Sequence, residues 1–240
     1  LEFLDLCDTP DVSFPMKPLM RLCFVRFANM LIGFAAAAHA QINNPLGDPF
    51  PSSIKVSLDE WLTIPASNPS APRARINHLK PVPGGSRLFC NDLNGRLWLI
   101  SSSFATSADL YLDMVAHFPN FIKAPGLGTG FTSFTFHPEF LDVGAPGYGR
   151  FYTAHSEAIA GGTVDFSGPA SSATSQVGVI TEWTLSDPDA SSITTSPANF
   201  TRRTLLRIGF PFDYHDLQEI SFNPTAASGS EDYGCLFICV

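Results

Sequence analysis

The chain is short of charge. Charged residues make up 15% of its 240 positions, and 14 Lys plus Arg stand against 22 Asp plus Glu, a net charge of -8. No basic stripe exists for a phosphodiester backbone to follow, so nucleic acid is the least favoured ligand class. Motifs for nucleophiles, metals and phosphates are missing as well. There is no G-x-S-x-G, no H-E-x-x-H, and no Gly-rich loop ending in Lys-Ser/Thr, which removes the usual sequence support for serine hydrolase, zinc protease and P-loop chemistry. Cysteine is scarce, with five residues and no C-x-x-C pair. That points to neither a zinc site nor a disulfide framework. Long apolar runs are missing too, and the stretch "FANMLIGFAAAA" is too short to span a bilayer.

What the chain has in plenty is Phe, Pro and Gly, at 21, 20 and 18 residues, scattered without a period. Turn formers this frequent beside so many aromatics predict an all-β fold of short strands rather than long helices. At 45% hydrophobic the chain can bury a sizeable core.

The amino-terminal quarter reads as targeting and strap. From Met16, "MKPLMRLCFVR" is a positive n-region, the apolar stretch follows, and Ala38-His39-Ala40 is a cleavage signal. Residues 16–40 are thus predicted to be a signal peptide with the mature start at Gln41, giving a periplasmic or secreted protein with no stable membrane span; the competing reading is a short uncut anchor. Residues 1–15 lie upstream of that start and read as a non-native extension of the frame. Residues 41–75, rich in Pro, Ser and Asn, read as an extended arm. The mature chain keeps Cys90, Cys235 and Cys239, an odd set that reads as small apolar filler.

Residues 76–240 carry the fold. "SRLFCNDLNGRLWLIS" is two apolar runs around Asn94-Gly95, the pair that suits a two-residue type I′ hairpin. "FTFHPEFLDVGAPGYGRFYTAH" and "ISFNPTAASGSEDYGCLFI" share one grammar: an apolar strand, His/Asn-Pro, a polar loop, Tyr-Gly and a second strand. Phe136 and Phe222 stand 86 residues apart, as do Pro138 and Pro224, while Tyr148 and Tyr233 stand 85 apart. This is an internal repeat. Its unit, from about Gly130 to about Phe212, contains four strands in the manner of a propeller blade. An earlier unit fits Ile76 to Phe118, ending on "LYLDMVAHF", and a third begins near Tyr214.

"SRLFCNDLNGRLWLI", "GTGFTSFTFHPEF", "GRFYTAHSE" and "LQEISFNPTAASGSEDYGCLFI" together resemble the soluble glucose/sorbosone dehydrogenase family. The likeness covers roughly residues 75–240. It implies a six-bladed β-propeller of four-stranded antiparallel blades, of which this chain holds about two and the start of a third. It also implies an exported oxidoreductase that takes hydride from C1 of an aldose to pyrroloquinoline quinone, with calcium as second cofactor and an external electron acceptor. The rival reading is a non-catalytic propeller that binds carbohydrate or protein.

By the same resemblance His215, in "DYHDLQEISFNP", matches the family's general base, and histidine suits that task because its pKa lies near ambient pH. Gly128 stands where the best-known members have a glutamine that approaches the quinone. Gly128, Thr129 and Gly130 are candidates to offer backbone N–H groups to a ligand carboxylate. The aspartate that steadies the family's histidine falls just past Val240 in this alignment. The remaining cofactor ligands belong to later blades, so the resemblance implies that residues 1–240 alone are inactive. Local sequence leaves two further readings of His215 open: a solvated turn histidine between Asp213 and Asp216, or a metal site of Asp213, His215, Asp216 and Glu219. No metal ligand is assigned. His137 and the pair His155 and Glu157 read as structural, and His78 and His117 carry no signal.

Overall fold

The computed structural model describes residues 57–122, 128–167, 174–193, 198–212 and 214–240. The expected upstream extension, the signal peptide and the first part of the arm lie outside these residues. Residues Asp59–Val240 form one compact unit, and everything below concerns it. The end of the arm packs as a strap: Leu62 and Ile64 lie against Cys90, Trp98 and Ile100, while the Arg75 N–H donates to Asp92 Oδ1 at 3.0 Å.

The fold is all-β. Strands β1 (Ile76–Pro81), β2 (Leu88–Asp92), β3 (Arg96–Ile100) and β4 (Asp109–Asp113) form an antiparallel sheet in sequence order. In the second sheet β5 (Phe131–Phe136), β6 (Arg150–Ala158), β8 (Gln176–Leu185) and β9 (Phe200–Phe210) repeat that meander. A third sheet pairs β10 (Glu219–Phe222) with β11 (Leu236–Cys239). These are the blade-like units expected from the repeat.

Three details depart from expectation. The Asn94-Gly95 hairpin has three loop residues, since Asp92 still pairs with Arg96 and the Gly95 N–H reaches the Asp92 carbonyl at 2.8 Å. Gly95 alone takes the positive φ, 108°, in the geometry of a type I turn closed by a glycine bulge. The cause is Asp92, whose Oδ1 accepts from the Asn94 N–H at 2.9 Å and fixes the turn one residue early. The expected strand "LYLDMVAHF" stops at Asp113, whose side chain caps the one-turn helix α1 (Met114–His117) by accepting from the Val115 N–H at 3.0 Å. The second sheet also gains a fifth strand, β7 (Phe166–Ser167), parallel to β9 and outside it. It covers a sheet edge that would otherwise be open.

Aromatic rings join the first two sheets. Phe136 on β5 lies 4.9 Å from Phe89 on β2 and 5.7 Å from Phe151 on β6. The Phe151 ring stacks on Trp183 of β8 at 5.7 Å, and Trp183 meets Phe200 of β9 at 5.4 Å. Each such ring, fully buried, is worth about 1.5–3 kcal/mol. A smaller core of Tyr152, Ala154, Ile180, Leu217 and Ile220 joins the second sheet to the third.

The repeat is visible bond by bond. His137 Nδ1 accepts from the Glu139 N–H at 3.1 Å, and at the matching place Asn223 Oδ1 accepts from the Thr225 N–H at 3.0 Å. The Phe140 N–H donates to the His137 carbonyl, as the Ala226 N–H does to that of Asn223. The two copies also trade volume. The His137 ring lies where a side chain on Gly147 would stand, whereas the smaller Asn223 pairs with Asp232 there. His137 is therefore a turn residue, as its partner Asn223 implied.

Gly149 and Gly234 are repeat partners too, with φ of 69° and 74°. A Cβ on Gly149 would stand 2.6 Å from the Leu185 carbonyl oxygen, whereas on Gly234 it would meet the His137 ring at 3.3 Å. Both alanine variants carry the left-handed backbone cost of about 1–2 kcal/mol. At Gly149 a backbone clash of about 1–3 kcal/mol adds to it. Urea unfolding of the two variants is expected to show Gly149→Ala the more destabilised, and equal losses would contradict this account.

Candidate functional site

The first strands of the three sheets lie side by side. Asn77 Nδ2 on β1 donates to the Thr132 carbonyl on β5 at 2.6 Å, and Ser133 Oγ on β5 accepts from the Ile220 N–H on β10 at 3.2 Å. Lys80 forms an ion pair with Glu219 and also donates to the Ile220 carbonyl at 3.2 Å. His78 Nε2 lies 3.0 Å from the other Glu219 oxygen. Burial lowers the His78 pKa, with the nearby Glu219 charge opposing it. This wall of β1, β5 and β10 carries the loops that lead into β5 and β10, and those loops hold the residues singled out by sequence.

The loop before β10 is tied to the loop before β5 through one carbonyl. Gly128 O accepts from the Asp216 N–H at 3.2 Å and from Gln218 Nε2 at 3.0 Å. A Cβ on Gly128 would stand 2.7 Å from Gln218 Nε2. The amide of Gln218 thus fills the space that a side chain at position 128 would take. Gln218 reaches that space from the end of the loop that leads into β10.

His215 is exposed, and its φ of 54° is the one positive value at a non-glycine among the described residues. Such a backbone costs a histidine on the order of 1 kcal/mol, so its surroundings hold it there. Its ring meets Tyr214 edge-on at 5.4 Å, and Tyr214 stacks on Phe212 at 5.3 Å. Phe212 and Tyr214 are 56% and 45% exposed, a bare aromatic shelf beside the histidine.

Thr129 and Gly130 are committed to the interior. Thr129 has no exposed surface and its hydroxyl has no partner among the described residues. The Gly130 N–H is taken by Ser156 Oγ at 3.1 Å. Direct donation to a ligand carboxylate, expected of this loop, therefore narrows to Gly128 in this conformation. The shared metal site does not form either: His215 faces solvent, Asp216 is buried, Glu219 turns to β1, and Asp213 lies outside the described residues.

Asp216, the neighbour of the exposed His215, is itself only 1% exposed. Its Oδ1 accepts from the Leu217 N–H at 2.6 Å, and Oδ2 has no partner among the described residues. A Cβ on Gly178 of β8 would lie 2.2 Å from Oδ1, so the carboxyl nests against that glycine. A glycine inside the apolar run "VGVI" was the sequence signal for such a close approach. Gln218 and the Lys80–Glu219–His78 set had no signal in local sequence. His155 and Glu157, two residues apart on β6, do share a face as expected: His155 Nε2 lies 3.2 Å from Glu157 Oε1, sealed from water and stacked on Phe121. Burial lowers the His155 pKa against the pull of Glu157, so its ring is neutral.

No family model matches the chain, and no curated protein matches it. The functional case rests on these side chains.

Burial pushes the Asp216 carboxyl up to about 6, against the Leu217 N–H and the Ser156 hydroxyl, which pull it down. An unfolded aspartate ionises near 3.9. The fold therefore binds an extra proton between those values, and the stability this contributes is full below about pH 4 and lost as pH rises through about 6. Asp216→Asn keeps the acceptor for the Leu217 N–H and never ionises. Thermal melts from pH 4 to 8 are expected to show the variant losing less stability with rising pH, with an advantage on the order of 2–3 kcal/mol at pH 7–8. Parallel curves would mean that Asp216 is not held neutral.

Proposed function

We propose that the chain is the amino-terminal part of an exported, quinone-dependent sugar dehydrogenase built on a six-bladed propeller, with His215 as the base. The observation that carries the reading is His215 itself: an exposed imidazole in a strained backbone, locked through the Asp216 N–H to the Gly128 loop, with the Gln218 amide alongside. Strained backbone of this kind clusters at functional positions, which supports the reading.

In this reading His215 takes the proton from the C1 hydroxyl of the sugar as the C1 hydrogen departs with its electron pair, leaving a lactone. Pyrroloquinoline quinone, when bound, supplies the two-electron acceptor, and an external acceptor later reoxidises it. Gln218 and Gly128 would hold that group by polar contacts, and Phe212 and Tyr214 would supply exposed aromatic surface for it. Calcium finds no fit here, because no three His, Cys, Asp or Glu side chains converge among the described residues. No role is given to calcium in this chain.

The shelf also favours the rival reading, a propeller that binds carbohydrate without turning it over, since sugar rings present C–H faces that stack on exposed aromatics. The two separate by experiment. The chain in its complete reading frame, given pyrroloquinoline quinone, calcium and a panel of aldoses, is expected to reduce a dye acceptor. His215→Asn keeps a residue that tolerates the left-handed backbone while removing the base. It is expected to lower kcat by about 10²-fold or more with KM little changed. Sugar binding without dye reduction, or an undiminished rate in His215→Asn, would favour the binding module.

A further inference from the structure

The acidic side chains buried among the described residues are Asp92, Glu157, Glu182 and Asp216. Glu157 and Glu182 face Arg207 and Arg203, at 3.0 and 2.6 Å. Asp92 accepts from the Ser67 hydroxyl and from the N–H groups of Arg75 and Asn94. Asp216 lacks comparable support. Its Oδ1 accepts from the Leu217 N–H, and Oδ2 has no partner among the described residues. A carboxylate buried on such terms is costly, whereas a neutral carboxyl is tolerated.

The elements packed on that carboxyl are neutral where they meet it. Ser156 of β6 offers its hydroxyl. On β8, the space that a side chain on Gly178 would take is filled by the carboxyl, by Leu217 and by Phe210 of β9. The charges of those strands lie elsewhere: Glu157 and Arg207 pair on the opposite face from Ser156, and Glu182 pairs with Arg203. Glu219 is bonded to Lys80 and His78, and His215 is exposed. The backbone of residue 216, meanwhile, closes the His215 loop. Its N–H donates to the Gly128 carbonyl at 3.2 Å, and its carbonyl accepts from Gln218 Nε2 at 2.7 Å. Lifting the carboxyl from Gly178 into water turns this residue, breaks both bonds and releases the left-handed backbone of His215 beside it.

We infer that Asp216 is a proton-operated latch on the loop that carries His215: neutral and seated against Gly178 it holds that loop to the Gly128 carbonyl, and ionised it leaves the seat and lets the loop go. Asp216 is thus a positioning residue, acting through the backbone of its neighbour. Burial raises its carboxyl to about 6, so the latch is closed below that value and opens as pH rises through it. As a control on catalysis the latch rests on the proposed role of His215. As a movement of two loops it stands without that role.

Amide hydrogen exchange of the whole chain, read by peptide mass spectrometry and corrected for the intrinsic effect of pH, tests this without any variant. Between about pH 5 and about pH 7.5, protection of the peptides holding Gly130 and Asp216–Leu217 is expected to fall by about ten-fold or more, while that of β8 is unchanged. In Asp216→Asn, which never ionises, both loops are expected to stay protected throughout. Equal protection at the two pH values in the natural chain, or the same loss in Asp216→Asn, would overturn the latch. Dye reduction by the complete reading frame with pyrroloquinoline quinone is the second arm, where Asp216→Asn is expected to hold its rate to higher pH than the natural chain. Loops that loosen with pH in a protein that reduces no dye would leave the latch standing and sink the dehydrogenase reading. Dye reduction with loops indifferent to pH would do the reverse.

Discussion

Strand β8 is buried along its whole length except Thr184, on both faces of its sheet. A strand covered on both sides, even where one side carries Gln176 and Glu182, cannot lie on the surface of a sandwich. It needs a neighbouring sheet against each face, and the rest of the architecture follows from that demand. One face of the second sheet meets the first through Phe136, Phe151 and Trp183; the other meets the third through Tyr152, Ala154 and Ile180. Face-to-face succession of this kind is what propeller blades and stacked repeats have in common, because each unit leaves its neighbour half its core.

That packing also brings the inner strands into register with one another. Ser133 on β5 is the hinge of the contact, accepting from the backbone of β10 at 3.2 Å and from Lys80 of β1 at 3.4 Å. Once those strands are fixed, the loops entering β5 and β10 have little freedom, and the Gly128 carbonyl takes up the Asp216 N–H. The strained backbone of His215 is sustained by its neighbours, Asp216 and Leu217, both buried. The candidate site is therefore a by-product of sheet packing carried to the ends of two strands.

Much of the fold was legible because repeats are local grammar. The His/Asn-Pro and Tyr-Gly signals each recur with their hydrogen bonds, and the strands between them alternate. What escaped was decided by side chains acting across distance. Asp92 shortens the Asn94-Gly95 turn by accepting from the Asn94 N–H, which no turn propensity encodes. β7 lies in a Gly- and Ser-rich segment without strand character, and it pairs because Arg207 and Asp165 exchange bonds there, the Arg207 N–H reaching Asp165 Oδ2 at 2.8 Å. Around His215 the identity of the packed neighbours was not legible along the chain. Gln218 fills the space beside Gly128 from the loop before β10, a contact between distant segments that leaves no trace along the chain.

His155 and His215 show why residue type alone is a poor guide to chemistry. His155 has a carboxylate at 3.2 Å and so looks the better candidate on distance. It is fully buried, however, and its partner Glu157 is already held by Arg207 at 3.0 Å. A proton taken up there would have no route to solvent and would place a cation among Phe118, Phe121 and Arg207. His215 reverses each condition. It is exposed, and the acid next to it in sequence points the other way, into the sheet against Gly178. Solvent reaches the His215 imidazole, whereas the His155 ring is sealed within the sheet.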